Sequence, residues 1–262
     1  MANSIKSFIR KIKRSIVESN LGKKLLIENS LLPIEFRVFL DPSNLLSLMK
    51  PLMKPLENDK TFFVKIGAND GVTGDPIYFF INRYRWQGVC VEPVKTFFME
   101  LQQNYKQFNQ IILENVAIVN NSAIKEKLFY YLNIKQADYQ ENNIPIWAKG
   151  LGSFDIEHIL KHKKLIPDIE NYIVSEKLSC MTIEQLLKKH KVSKIDFLHI
   201  DTEGYDYEII KSIDYNQIKP SIILYEHIHL SINDKINCIK FLEKKQYKVI
   251  SFLTGDSIAY LV

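Results

Sequence analysis

Phe62-Phe63-Val64-Lys65-Ile66-Gly67-Ala68-Asn69-Asp70-Gly71 is a short apolar run that ends in a glycine-bounded loop. The run has the length and composition of a buried strand, and glycines permit the tight turn and close backbone approach that a ligand needs. One strand later, Val89-Cys90-Val91 runs into Glu92-Pro93, where the carboxylate can accept both hydroxyls of a ribose. Together these features read as a nucleotide-type cofactor site at the ends of parallel strands. Each also has a plainer reading: the loop as an ordinary βα turn, and Glu92 as a helix N-cap.

The flanking pattern supplies the rest of such a sheet. Strands are expected over 61–66, 87–91 and 111–116, separated by helices over 76–84 and 94–105, with an added strand over 127–132. Residues 133–178 break the rhythm with Asn, Gln, Trp147, a Gly150-Leu151-Gly152-Ser153 turn and a helix near 155–164. An insert of that size usually covers the ligand face. Regularity then returns with a Thr182-capped helix through Lys189, a strand over 195–200, a helix over 205–212 and a strand over 221–225. A helix over 233–244 and a terminal hairpin of strands, 246–252 and 257–262, around Thr254-Gly255-Asp256 close the chain. Short apolar runs alternating with helices specify an α/β domain with a mostly parallel sheet over 61–262. Residues 1–60 read as a helical extension broken by Pro33, Pro42, Pro51 and Pro55.

With 262 residues, 46% hydrophobic and 25% charged, the chain has apolar material for one large domain. The formal charge of +5 is spread along the sequence. It suits an anionic substrate or a membrane surface but lacks the dense basic stripe of a nucleic-acid binder, so no nucleic-acid partner is expected. Ile5, Phe8, Ile9, Ile12 and Ile16 share one face of a basic helix, which fits packing on the domain or a second subunit, or peripheral membrane contact. Cys90, Cys180 and Cys238 are odd in number and widely spaced, which excludes a disulfide framework. With neither a signal-peptide pattern nor an apolar run of roughly 18–20 residues, the expected location is cytoplasmic.

Polar residues gather at two further strand ends. His199, Asp201 and Glu203 surround the first, and Glu226, His227 and His229 the second. Adjacent parallel strands end on the same side of a sheet, so these groups are expected to converge on one crevice. Several ionisable groups in one crevice need a ligand, a metal or mutual pairing. Alternation leaves His199 open to either role, catalytic or hydrogen-bonded core histidine.

Four strings, in this order, carry a resemblance: Val64-Lys65-Ile66-Gly67-Ala68-Asn69-Asp70-Gly71, Val91-Glu92-Pro93, Asn115-Val116-Ala117, and His199-Ile200-Asp201-Thr202-Glu203-Gly204-Tyr205-Asp206. Over about residues 60–260 the chain resembles the FkbM family of S-adenosylmethionine-dependent methyltransferases. The resemblance implies a class I, Rossmann-like, seven-stranded sheet with an antiparallel last strand. It further implies that Gly67, Asn69 and Gly71 face the methionine part of the cofactor, that Glu92 holds its ribose, and that Asn115 and Ala117 lie near adenine. Many members carry Asp where this chain has Lys65, and Asp70 or Asp201 stands nearby as a replacement contact.

The resemblance also implies O-methylation of a sugar or glycan precursor, as in surface-polysaccharide or natural-product pathways. A sugar hydroxyl is a poor nucleophile, so a base, a metal or both must activate it. His227 or His229 is the expected base. Asp201 and Glu226 occupy the strand ends where metal-dependent O-methyltransferases of this fold carry oxygen ligands, a pair suited to Mg²⁺; a metal-free histidine base is the alternative. Trp147, Ser153 and His158 in the insert are candidate acceptor contacts. Two other classes remain: an NAD-dependent sugar oxidoreductase, disfavoured because Gly67, Gly71 and Gly74 do not form GxGxxG, and a non-catalytic binding module.

Overall fold

A computed structural model describes residues 52–135, 139, 143–252 and 255–261. The expected N-terminal amphipathic helix and Thr254 of the terminal turn lie outside the described residues. The chain forms β1 (Phe62–Ile66), α1 (Tyr78–Tyr84), β2 (Gln87–Val91), α2 (Lys95–Tyr105), β3 (Ile111–Glu114), β4 (Ala117–Ile118) and β5 (Glu126–Leu132). The insert contributes β6 (Gly152–Ser153), α3 (Ile156–Leu160) and β7 (Ile173–Met181). The second half adds α4 (Ile183–Lys189), β8 (Phe197–Ile200), α5 (Asp206–Ser212), β9 (Ile222–Glu226), α6 (Ile232–Lys244), β10 (Tyr247–Ser251) and β11 (Asp256–Leu261).

Seven strands form the main sheet in the order β3-β2-β1-β8-β9-β11-β10. All neighbouring pairs from β3 to β9 are parallel, and β11 runs antiparallel between β9 and β10. This is the sheet the class I resemblance implies. Strand order reverses at β1 and β8, which opens a crevice beyond their C-terminal ends.

Alternation along each strand divides the core. Val64, Ile66, Leu198 and Ile200 face the side covered by α4, α5 and α6, packing with Leu186, Ile210 and Leu242. Phe63, Cys90, Phe197 and Leu224 face the other side with Met53, Phe80, Trp86 and Leu101. Trp86 is fully buried there, and its indole N–H donates to the Leu56 carbonyl at 2.7 Å, which ties residues 52–57 to the domain.

The residue at position 65 lies on this second side. Lys65 pairs in register with Cys90 and His199, and its ammonium is ion-paired with Asp75, both side chains almost wholly buried. The other Asp75 oxygen accepts from the Ile77 N–H at 2.8 Å. Lys65 is thus a structural cation beneath the loop. Removing one partner of a buried pair leaves an uncompensated charge, so Lys65→Met should lower the unfolding free energy by ~3–5 kcal/mol. Adding Asp75→Asn, which keeps the acceptor for Ile77, should recover part of that loss. Urea denaturation of the two variants checks this; a double variant no better than the single one refutes it.

Two expectations need correction. The strand expected over 111–116 ends at Glu114, because the Asn115 amide turns back to donate to the carbonyls of Glu92 and Pro93 at 2.8 and 2.9 Å. The chain then leaves the main sheet as β4. Residues 173–178, read as the end of the insert, instead belong to a nine-residue strand, β7, paired antiparallel with all of β5. Only Leu178 and Cys180 of β7 are buried, so its sequence alone carries little strand signal and β5 supplies the rest. The second sheet, β4-β7-β5-β6, stands over the crevice as a cover.

Candidate active site

The first wall of the crevice is the β1 loop. Gly67 adopts φ +80°, and a Cβ there would lie 1.7 Å from the Asp201 carbonyl, so the ends of β1 and β8 approach closely only because residue 67 has no side chain. The Gly67 and Ala68 N–H groups both donate to Val91 at 3.0 Å. Asn69, at φ +49°, directs its backbone N–H onto Glu92 Oε2 at 2.7 Å.

Asp70 and Gly71 stand behind this wall. Asp70 Oδ1 accepts from the Val72 and Thr73 N–H groups and Oδ2 from the Thr73 hydroxyl, closing the loop on itself. Burial acts to raise its pKa, but those hydrogen bonds outweigh it and hold the carboxyl below its ordinary value. Gly71 packs against α2, where a Cβ would meet the Tyr105 ring at 2.4 Å, and Tyr105 donates to the Gly71 carbonyl at 2.9 Å. Both residues shape the loop rather than line the crevice, so Asp70 is no substitute for the acidic contact that Lys65 lacks.

Glu92 forms the second wall. It is buried, with Oε2 bound to Asn69 N–H and Oε1 accepting from Val94 N–H at 2.8 Å. Burial dominates these bonds and pushes its pKa up to about 7. Beside it an apolar slot is lined by Val91, Pro93, Phe97, Ala117, Ile118 and Tyr131. With its polar edge of Gly67, Asn69, Glu92 and Asp201, the cleft holds about 820 Å³ of space, part of it open to solvent. Ala117 lines it, whereas Asn115 acts from outside by fixing the Glu92-Pro93 turn.

The third wall follows β8. Asp201 is solvent-accessible at the cleft, yet the enclosing protein and then Glu203 and Asp206 raise its pKa well above the carboxylate range. Fully buried Asp206 organises the loop: Oδ2 accepts from the Thr202 hydroxyl at 2.9 Å and the Gly204 N–H at 3.3 Å, and Oδ1 from the Glu226 N–H at 3.2 Å. That carboxylate, which the sequence reading left without a role, ties the end of β8 to the end of β9.

Glu203, at φ +53°, points its carboxylate to His229 Nε2 at 3.0 Å and His158 Nε2 at 3.5 Å. Burial opposes its ionisation, but the two histidines hold it below its ordinary value. Glu226 lies 3.7 Å from the same His229 nitrogen; burial, then Asp201 and Glu203, push its pKa up to about 11. His158 and His162, four apart in the insert, come within ring-centroid distances of 4.5 and 6.0 Å of His229. The i, i+4 spacing of two histidines on an expected helix was the available signal for His162.

Two sequence candidates lie elsewhere. His199 is buried on the Lys65 side of the sheet, away from the crevice, and burial holds its imidazole well below its ordinary pKa. Alternation decides this, since Leu198 and Ile200 take the other face. The His227 ring packs on Ser257, with Nδ1 2.9 Å from its hydroxyl, and burial lowers its pKa to about 4, too low for an efficient base near neutral pH. Of the two expected bases, His229 stands at the site.

A second, polar pocket adjoins the cleft and shares Phe154, Glu203 and Tyr205 with it. It is lined further by Lys127, Ser153, Lys161 and His229. Trp147 is half exposed, its ring centroid 5.3 Å from that of His162. No described helix is long and apolar enough to cross a membrane.

A family model described as the methyltransferase FkbM domain matches residues 65–249. No protein with a curated description matches the chain. Among solved structures, the chain is similar to methyltransferase FkbM from Methylobacillus flagellatus KT, at 12% identity and TM-score 0.46, covering 78% of this chain and 44% of that one. It is also similar to precorrin-6y C5,15-methyltransferase from Geobacter metallireducens GS-15, at 14% identity and TM-score 0.38, covering 80% and 74%. An RNA methyltransferase from Salinibacter ruber, in complex with S-adenosyl-L-homocysteine, matches at 8% identity and TM-score 0.40 over 85% and 92%. This chain thus spans under half the length of the Methylobacillus protein.

Proposed function

The chain belongs to the FkbM methyltransferase domain family, and we propose that it is an S-adenosylmethionine-dependent O-methyltransferase acting on a hydroxyl of a sugar or glycan precursor. The observation that carries this reading is the pair of joined cavities. One has a glycine-floored polar edge and an apolar slot, the other is polar and lysine-bearing, and Glu203 belongs to both.

The cleft fits the cofactor. Glu92 keeps acceptor lone pairs beyond its two N–H bonds and can take the ribose hydroxyls. Pro93, Phe97, Ala117 and Tyr131 offer an apolar slot for the adenine, and Gly67 lets the ligand reach the backbone. Bound there, S-adenosylmethionine supplies an electrophilic sulfonium methyl. The protein's task is to align the acceptor oxygen, exclude water and remove the proton. His229, anchored through Nε2 by Glu203, is the base we assign for that proton. Lys127 and Lys161 line the acceptor side, a surface suited to an anionic molecule such as a nucleotide-linked or lipid-linked sugar.

The test is transfer of labelled methyl groups from S-adenosylmethionine to a panel of nucleotide sugars and glycolipid extracts. A labelled sugar product is expected. Labelling of RNA alone, or stabilisation by NAD in place of S-adenosylhomocysteine, defeats the proposal.

Glu92 adds a pH signature. Ribose hydroxyls donating to the carboxylate favour its ionised form, so binding draws its pKa below the value of about 7 in the free protein. Binding therefore releases a proton, and affinity for S-adenosylhomocysteine should rise as pH climbs towards 7 and level off above it. Glu92→Ala should bind at least ~10-fold more weakly with no such slope. Calorimetry in two buffers of different ionisation heat measures the proton directly; a flat wild-type profile rejects the contact.

A further inference from the structure

Three of the six histidines, His158, His162 and His229, meet where the insert covers the ends of β8 and β9. Their ligand atoms lie within 4.8 Å of one another, and so do those of Glu203, Glu226 and His229. His229 belongs to both sets, so the two groups adjoin at its ring.

The imidazoles are poorly satisfied by hydrogen bonds. Nε2 of His158 and Nε2 of His162 are both sealed from solvent without a hydrogen-bond partner, and His158 is itself only 9% exposed. Leaving two such atoms unmatched in one place is costly, and native interiors avoid it. A shared cation uses both lone pairs at once.

The geometry suits such an ion. The three imidazole rings converge, with centroids 4.5 Å apart for His158 and His229, 6.0 Å for His158 and His162, and 6.0 Å for His162 and His229. Rings that hold one tetrahedral centre at 2.0–2.1 Å through nitrogen stand about 5 Å apart. Glu203 Oε2 lies beside them, 3.0 Å from His229 Nε2 and 3.5 Å from His158 Nε2. We propose that His158, His162 and His229 bind one divalent first-row transition ion of the Zn²⁺ class. Three imidazoles select such ions over Mg²⁺, which prefers oxygen and water. The set differs from the Asp201–Glu226 pair expected from strand topology, since Asp201 belongs to neither group. His158, Glu203 and His229 line the polar pocket, so an open coordination position faces whatever molecule occupies it. The site does not depend on what is methylated, but an imidazole that holds the ion cannot also take the acceptor proton, so His229 acts as the base only in the ion-free chain.

Lys161 sharpens the test, because its ammonium lies 2.9 Å from His158 Nδ1. Ligation through Nε2 leaves hydrogen on Nδ1, and two donors then face each other, so the ion must displace Lys161. The full chain, stripped with chelator, is titrated with Co²⁺ and its visible d–d absorption followed, with Zn²⁺ as competitor. One tightly bound Co²⁺ per chain, displaced stoichiometrically by Zn²⁺ and not by Mg²⁺, is expected. His158→Ala and His229→Ala should each weaken it by at least ~100-fold, and Lys161→Met should tighten it a few-fold. Circular dichroism and S-adenosylhomocysteine binding confirm that the variants fold. Absence of a stoichiometric Co²⁺ spectrum, or a spectrum that survives both histidine substitutions in folded protein, overturns the site.

Discussion

Gly67→Ala should cost at least ~4 kcal/mol of folding stability, enough to deplete or precipitate a domain of ordinary stability. Two effects add. An alanine at φ +80° pays ~1–2 kcal/mol for a left-handed backbone, and its Cβ would lie 1.7 Å from the Asp201 carbonyl. That carbonyl cannot swing aside, because Asp201 N–H donates to Ile66 at 2.9 Å and β1 pairs with β8 through Ile66 and Ile200. Relief therefore requires parting the two central strands. Gly74→Ala is the matched control: it has φ +68° but nothing within 4 Å of a built Cβ, so it should pay the backbone term alone. Thermal melts should place Gly67→Ala about 8–16 °C below wild type and Gly74→Ala only a few degrees below. Equal shifts for the two would show that the approach of Gly67 to Asp201 does not limit the fold.

This contrast also shows what the sequence could convey. The loop at 67–71, the parallel strands and the terminal antiparallel hairpin were legible because each is written in local chemistry: apolar runs, glycines, a Thr182 capping box with Gln185. Which loop residue faces the ligand was not. Gly67 and Gly71 look alike in sequence, yet one meets a carbonyl across the switch point and the other a tyrosine ring on α2. His199 followed the same logic, because the parity of β8, fixed only once Leu198 and Ile200 choose a core, sends it away from the site. β7 was hidden because its polar face is satisfied by pairing with β5, 41 to 53 residues earlier in register. Asp206 had no role in the sequence reading, because its bond to Glu226 N–H exists only when β9 lies beside β8.

His229→Ala should lower kcat by ~10²–10⁴-fold, measured on the acceptor found in the labelled-methyl screen, while S-adenosylhomocysteine affinity stays within about twofold. The split follows from position. His229 lines the polar pocket and not the cofactor cleft, so its loss removes proton transfer and acceptor alignment and leaves the ribose and adenine contacts intact. Glu203 acts on the same step through His229, holding Nε2 at 3.0 Å, so Glu203→Gln should cost kcat a smaller factor, ~10–100-fold. Because the two residues work as one unit, the losses should not multiply: the double variant should be no slower than His229→Ala alone. Multiplying losses would mean that Glu203 serves the reaction by a separate route, and a His229→Ala enzyme with wild-type kcat would remove the histidine from the chemistry. His227→Ala is the internal comparison. Its ring is bonded to Ser257 and titrates near 4, so it should leave kcat within about twofold, and a large loss there would reverse the assignment of the base.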